Sequence, residues 1–479
     1  MNDFPATFSR RQILANTACG FGGLAAAALA HQYAAGGEAH AGNQTAAAGF
    51  TPPRKTAKRI IFLFMQGGVS QIDSFDHKPA LAGSDGQTLD FRDARTVAKT
   101  GKVATPQRVM QSPWKFAQHG QSGRWVSELF PQIATQVDDL CMVHSLHTEG
   151  VAHGPATLFL HCGSTNFIRP SFGSWLMYGL GSESDELPGF VTIAPSIGNG
   201  GARNYGSAFL DARHQGTAVG SAGAKADNLT LPYLGAGGTA TPRRQFELLQ
   251  SLNRRQAASH PADSRFDAAI ESYELAWRMQ AGAAEHFDLS QEAPATLEAY
   301  GVGRPETDAF GRRCLLARRL CEAGVRFIQV NYGDNSANPA WDQHSNIGKH
   351  AEHALATDQP VAALLADLRD RGMLEDTIVW WGSEFGRTPY AQDNGTGRDH
   401  NPDGFTMFLC GGPFRRGLSH GSTDELGHRA VEGRLHIHDM HATLLAALGL
   451  DHKALTFRHA GRDFRLTDVY GRVAEELFV

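Results

Sequence analysis

At 479 residues, 42% of them hydrophobic and 19% charged, the chain is long enough to bury a substantial core, which excludes global disorder. Its formal charge of −5 excludes a nucleic-acid binder that relies on a broadly basic surface. Histidine is the loudest feature of the composition, at 22 residues against 44 lysines and arginines.

Taken in chain order, the first element is a candidate export signal, residues 1–30. Ser9-Arg10-Arg11-Gln12-Ile13-Leu14 opens a weakly apolar run from Ala15 to Ala30 that ends in Ala28-Leu29-Ala30. A basic start, an apolar middle and a small-residue end make a cleavable signal, and the paired arginines resemble the twin-arginine type. Export to the periplasm or outside the cell is therefore expected. Cys19 does not make a lipobox, because Asn16 stands where an apolar residue is needed. Residues 31–57 are rich in Ala, Gly and His, end near Thr51-Pro52-Pro53, and read as a disordered tether. Beyond the N-terminus no apolar run approaches the ~20 residues of a membrane span, so no transmembrane body is expected.

The folded body is expected over 58–475. Arg59 to Met65 is a continuous apolar run closed by Gly67-Gly68, the pattern of a strand buried on both faces of a parallel sheet. Further strands are predicted at Leu140 to Val143, Phe190 to Ala194, Val325 to Val330, Thr377 to Trp381 and Phe405 to Cys410. Helices predicted at Arg312 to Glu322 and Gln359 to Arg371 each end at a glycine and run into a strand. That order is the grammar of an α/β fold with a doubly wound, mostly parallel sheet sandwiched by helices. Residues 196–240 read as a long surface excursion and residues 241–300 as a helical insertion. The cysteines Cys141, Cys162, Cys314, Cys321 and Cys410 are scattered and odd in number, which suits buried small hydrophobes and no disulfide framework.

In such a sheet, ligands sit beyond the carboxyl ends of the strands. There the sequence places Gln66-Gly67-Gly68-Val69-Ser70 after the first strand and Trp341-Asp342-Gln343-His344 after the strand at 325. Ser383-Glu384-Phe385-Gly386-Arg387 follows the strand at 377, and Gly397-Arg398-Asp399-His400 precedes the strand at 405. Taken singly, each has a plain reading: a turn residue, a surface histidine, an ion pair of Glu384 with Arg387 or of Arg398 with Asp399. Together, Asp342, His344, Glu384 and His400 form a mixed N/O donor set that suits Zn, Mn or Fe better than calcium. A second cluster, His144, His147 and His153, runs into Gly154-Pro155, with Pro155 expected at the first helical position. His153 would then stand at a helix N-terminus that offers N–H groups to an anion. Arg169 and Arg203 are candidate cations for an anionic substrate.

These motifs resemble the exported proteins grouped as domain of unknown function 1501, within the alkaline phosphatase and sulfatase-like superfamily. The resemblance rests on residues 64–76, His153-Gly154-Pro155-Ala156, Trp341-Asp342-Gln343-His344, residues 383–389, Gly397-Arg398-Asp399-His400, residues 439–445 and residues 461–468. It spans roughly residues 55–475. It implies an alkaline phosphatase-like α/β sandwich and hydrolysis of phosphate or sulfate esters at one or two divalent metals. Asp342, His344 and His400 match one metal site; Glu384 and Phe385 stand where an Asp-His pair is usual, so one histidine ligand is missing. Gln66 replaces an aspartate of the second site. His153 and Thr157 replace the Cys and Arg of the sulfatase Cys-x-Pro-x-Arg motif, which argues against formylglycine chemistry. Asp439 is expected to cap a helix Met440 to Leu448 and, with His441, is left out of the metal set.

Two functions that use the metal site follow. One is an exported hydrolase of a phosphate or sulfate ester, with a single metal site and His153 as acid/base or nucleophile, ahead of Ser70 or Thr157. The other is a catalytically inactive, sulfatase-like binding protein of the cell envelope for an anionic polysaccharide. A metal-free envelope scaffold is a third.

Overall fold

The computed structural model describes residues 50–92, 104–223, 229, 243–260, 284–392 and 395–479, with isolated positions between 266 and 277. The candidate signal, most of the tether and parts of the excursion and insertion lie outside the described residues.

The elements that build the body are β1 (Arg59–Met65), β2 (Leu140–His147), α1 (His153–Cys162), α2 (Phe172–Leu180), β3 (Phe190–Ile193) and β4 (Thr217–Val219). They continue with α3 (Asp308–Glu322), β5 (Phe327–Tyr332), α4 (His350–Asp370), β6 (Thr377–Gly382), β7 (Gly386–Ala391), β8 (Arg398–Asn401), β9 (Phe405–Cys410), β10 (Ser419–His420), β11 (Leu435–His436) and α5 (Ile437–Ala447). The main sheet has nine strands in the order β10-β2-β9-β6-β1-β5-β3-β4, with β11 also pairing β2. The pairs around β1, β5, β3 and β4 are parallel, and β9 alone runs against its neighbours β6 and β2. The architecture is therefore a mostly parallel α/β sheet sandwiched by helices, as the sequence indicates.

Alternation along the strands explains the layers. Ile61, Leu63 and Met65 of β1 join Cys314, Leu316, Leu364 and Leu368 of α3 and α4 on one face. Ile60, Phe62 and Phe64 join Phe159, Trp175, Leu176, Met440 and Leu444 of α1, α2 and α5 on the other. A strand with both faces buried has no polar alternation, which is why β1 reads as one apolar block. All five described cysteines are free and buried.

Four local expectations need correction. Helix α4 begins at His350, nine residues before the expected Gln359, and holds Pro360 in its interior. The proline looks like a first-turn residue only while the preceding segment is taken for a loop. Helix α1 begins at His153, so Pro155 is its third residue, and Ala152 at the cap offers no side-chain acceptor. Helix α5 is capped by His436; Asp439 lies inside the first turn and accepts from His436 N–H at 2.9 Å and Arg472 N–H at 2.8 Å. Asp439 thus keeps a structural role, but as the third-position partner of a capping box. The excursion at 196–240 contributes β4, which extends the sheet beyond β3.

Candidate metal centre

Topology brings the polar loops together. β1, β2, β5 and β6 share a direction, so their carboxyl ends lie at one edge of the sheet. The segment after β5 carries Asp342 and His344, the residue pair after β6 carries Glu384 and Phe385, and the chain leaving β2 reaches His153 at the start of α1. β9 is antiparallel, so it begins at that same edge, and β8 just before it delivers His400. Arg387 on β7 pairs across to His400 on β8.

The turn beneath them requires glycine. Gly67 has φ +114°, and a Cβ there would stand 2.7 Å from the Asp342 N atom and 2.8 Å from Trp341 N. At Gly68, φ +85°, a Cβ would stand 2.9 Å from the Phe385 ring and 3.2 Å from Arg387 Nε. No larger residue lets the β1 turn lie this close to the loop that holds Asp342.

One ligand atom each from His153, Asp342, His344 and His400 lies within 4.8 Å of all the others. Asp342 is the hub. Its Oδ2 is 3.0 Å from His153 Nε2; its Oδ1 is 2.8 Å from His344 Nε2, 3.2 Å from His400 Nε2 and 2.7 Å from Arg387 Nη2. His344 Nε2 and His400 Nε2 are 2.9 Å apart.

The other ring nitrogen decides what these contacts mean. His153 Nδ1 faces Glu384 Oε1 at 2.7 Å, His400 Nδ1 faces the Val151 carbonyl at 3.0 Å, and His344 Nδ1 faces Gln392 Oε1. Glu384, the Val151 carbonyl and the Gln392 carbonyl are all acceptors, so each Nδ1 carries the proton. In the neutral rings, three Nε2 lone pairs then point at one carboxylate and at one another. His153 Nε2 is buried against Asp342 Oδ2, 3.0 Å away. A cation at the centre satisfies all four groups at once, and imidazoles held through Nδ1 by an acceptor are the usual form of metal-ligating histidine. The residues present therefore fit a divalent transition metal.

Protonation follows the same geometry. Burial pushes His153 down, but the hydrogen bonds and charges of Asp342 and Glu384 outweigh it and raise it above the ordinary histidine value. Burial pushes His400 down to about 4, against the pull of Asp342 and with the push of the Arg387 cation. Burial works to raise Asp342, yet the close imidazoles of His153, His344 and His400, wherever they carry a proton on Nε2, and the charge of Arg387 hold it far below the usual carboxylate range. The site is closed on most sides: the Asp342 side chain is 1% exposed, whereas that of His344 is 20% exposed. Solvent reaches the centre on the His344 side.

Of the expected residues, Asp342, His344 and His400 converge, and His153 joins them as a fourth donor. Glu384 does not. It is fully buried, accepts the Gly67 N–H at 3.0 Å and holds His153 Nδ1, so it stands one step behind the donors. Arg169 and Arg203 belong elsewhere. Arg169 pairs with Asp468 at 3.0 Å, and the Arg203 carbonyl accepts from Cys162 at the last residue of α1. Helical rise puts that end of α1 about 13 Å from His153. His144 and His147 also leave the cluster: His144 Nδ1 meets Thr406 Oγ1 at 3.3 Å, and the His147 ring packs 5.0 Å from that of His436. Ser70 gives its hydroxyl to Asp73, and Thr157 lies one turn further into α1. Phe385 stacks its ring 4.3 Å from that of His400.

Sequence reasoning missed the arginines. Arg387, fully buried, binds Asp342 Oδ1 and the carbonyls of Gly67, Gly68 and Arg398. Arg398, equally buried, pairs with both oxygens of Asp73 at 2.7 and 3.1 Å. Their signal was each one's position next to a site carboxylate or histidine, which looked like a surface ion pair.

The family model described as "Protein of unknown function (DUF1501)" matches residues 57–478. No curated protein matches the chain. Among solved structures, the PsFucS1 sulfatase from Pseudoalteromonas sp. is 11% identical over 86% of this chain and 74% of its own, with a TM-score of 0.33. A protein in the alkaline phosphatase superfamily from Vibrio parahaemolyticus is 10% identical over 83% of this chain and 68% of its own, with a TM-score of 0.34. The TAB5 alkaline phosphatase is 13% identical over 83% of this chain and 99% of its own, with a TM-score of 0.33. Overlaps this loose carry nothing further about the chemistry of this chain.

Proposed function

The chain belongs to the DUF1501 family, and from that premise we propose that it is an exported hydrolase of a phosphate or sulfate ester with one divalent metal. The observation that carries the reading is the convergence of three Nδ1-anchored imidazoles on Asp342. Asp342, His344 and His400 would hold the ion, which is Zn, Mn or Fe by its donor set. When bound, such an ion polarises an ester oxygen and lowers the pKa of a coordinated water.

The chain's own groups supply the rest. Glu384 fixes the tautomer and orientation of His153, a His–carboxylate pair of the kind that moves a proton on and off a reacting oxygen. His153 stands at the first residue of α1, whose cap residue offers no side chain to the free N–H groups of the first turn, a setting that favours an anionic group. Arg387 neutralises Asp342 and keeps it ionised. The chain's net negative charge speaks against a nucleic-acid substrate. Export rests on the Ser9 to Ala30 segment, and the substrate would be a small anionic ester or an anionic polysaccharide.

The fourth donor supports a second reading. With His153 bound to the ion, a tetrahedral shell would be closed, as in structural sites. The protein would then be the inactive binding protein of the envelope. His153→Ala separates the two. Metal analysis of the wild type, His153→Ala and His400→Ala, with a screen of phosphate and sulfate esters, is the test. The hydrolase reading expects about one metal per chain, lost in His400→Ala and kept in His153→Ala. Turnover in His153→Ala should fall by roughly 10²–10⁴. Loss of the metal from His153→Ala as well, with no turnover by the wild type, favours the binding protein. A folded wild type that takes up no Zn, Mn or Fe sinks both metal readings.

A further inference from the structure

The far end of α1 carries a surface that the metal centre does not use. Two loops meet there: the backbone at Gly163 lies against the Leu466 carbonyl, and Arg169 Nη1 reaches Asp468 Oδ2 at 3.0 Å. On these loops Phe167 is 68% exposed, Ile168 56%, Val469 70% and Tyr470 58%. They are held in place. Phe167 N–H donates to Ser164 Oγ at 3.1 Å, Tyr470 N–H to the Thr467 carbonyl at 2.9 Å, and the Tyr470 ring stacks 5.4 Å from that of His438. Asp468, in the left-handed region at φ +50°, shapes the tip between them. Four large, exposed apolar residues thus stand on two chain-distant loops that the Arg169–Asp468 ion pair joins.

The charge beside them is one-sided. Arg169 and Arg462 both pair with the Asp468 carboxylate, and Arg465 donates to the Asp468 backbone carbonyl, so three guanidiniums gather at a residue that supplies one negative charge. Arg465 has no carboxylate partner among the described residues. The patch is positive on a chain whose net charge is −5.

The size of the patch selects the occupant. Side chains of this kind at these exposures present on the order of 400–500 Å², against roughly 800 Å² per partner in a stable protein interface. A bilayer needs no matching shape: a few aromatic and aliphatic tips enter the headgroup boundary while cations meet anionic headgroups. We propose that the surface of Phe167, Ile168, Val469 and Tyr470, with Arg462 and Arg465 at its rim, docks the protein on an anionic membrane. No described helix is long and apolar enough to cross one, so the contact would be peripheral. It would leave the His153 end of α1 clear.

The chain from residue 31, the form expected after signal cleavage, serves as the test protein and removes the apolar run at 15–30 as a competing anchor. Its co-sedimentation is measured with vesicles of phosphatidylcholine, with and without phosphatidylglycerol. The variant carries Phe167→Ser, Ile168→Ser, Val469→Ser and Tyr470→Ser, with circular dichroism to show that it is folded. The wild type should pellet with the phosphatidylglycerol vesicles, and the variant at least about tenfold less. Three results overturn the proposal: no pelleting with either vesicle, equal pelleting with both, or a folded variant that pellets like the wild type. Light scattering that shows a wild-type dimer, monomeric in the variant, assigns the patch to a second copy and also overturns it.

Discussion

The two ends of α1 each lie among histidines, and only one end makes a site. At the N-terminal end, His153, His344 and His400 present Nε2 atoms to Asp342 while acceptors hold their Nδ1 atoms. Toward the C-terminal end, His161 gives Nδ1 to the Thr157 carbonyl and His441 gives Nε2 to the Leu160 carbonyl, both at 2.7 Å. The second nitrogen of His441 has no partner, that of His161 faces the neutral Gln329, and no carboxylate gathers the two rings. Burial pushes both rings down to about 4, which keeps them neutral packing groups. Burial and number of histidines are shared by the two ends. What differs is a common anion and an outer acceptor for each ring.

The contrast breaks most completely at its hub. Asp342→Asn removes the anion and leaves Arg387 buried without its partner, a loss of about 3–5 kcal/mol for a broken buried pair. Metal content should fall to zero and the urea midpoint should drop. Metal bound at wild-type stoichiometry in this variant would show that the imidazoles alone make the site.

The packing histidines sharpen the contrast through pH. Above pH 6.5, His441 is neutral in both the folded and unfolded chain, and its contribution to stability is fully present. As pH falls from 6.5 toward 4, the unfolded imidazole takes a proton that the buried one refuses, so stability is lost. Over that window the loss is about 3 kcal/mol. His441→Leu should cost about 1 kcal/mol at pH 7.5 through its lost hydrogen bond, yet lose less than the wild type between pH 7.5 and 5. Urea denaturation at the two pH values checks this; parallel losses would refute it.

The smallest effect is expected one step out. Glu384→Gln can keep the Gly67 N–H bond but weakens the hold on His153 Nδ1. Turnover should fall about 10–100-fold, the range for an outer-shell partner, with melting temperature nearly unchanged. Titration calorimetry with Mn and an ester assay read it. If metal affinity falls by the same factor, His153 is the fourth ligand.

How much of this was legible follows from range. β1, β5, β6 and β9 are apolar blocks that announce themselves; the shared direction of β1, β5 and β6 follows from the α/β grammar, whereas β9 runs against it. The donors Asp342, His344 and His400 were legible because they stand in the loops at those strand ends. Glu384 was placed among the donors because adjacency to a strand end does not tell a ligating carboxylate from one that turns a ring. Arg169 and Arg203 were assigned by charge alone, although the length of α1 separates them from His153. Arg387 escaped because its partner, Asp342, lies 45 residues away in sequence. The start of α5 was misplaced because an aspartate serves equally as a cap and as a first-turn partner, and that of α4 because Pro360 lies inside the helix.

The buried thiols have a practical use. Burial drives Cys141, Cys162 and Cys410 up to about 12 and Cys314 still higher, so almost none of these sulfurs is thiolate near neutrality. They sit in β2, α1, β9 and α3, on both sides of the sheet. With Cys19 replaced, alkylation of this chain becomes a clock for opening of the core. Sulfurs in different layers that react in step would mark one cooperative unit, and a sulfur that reacts early would name the layer that opens first.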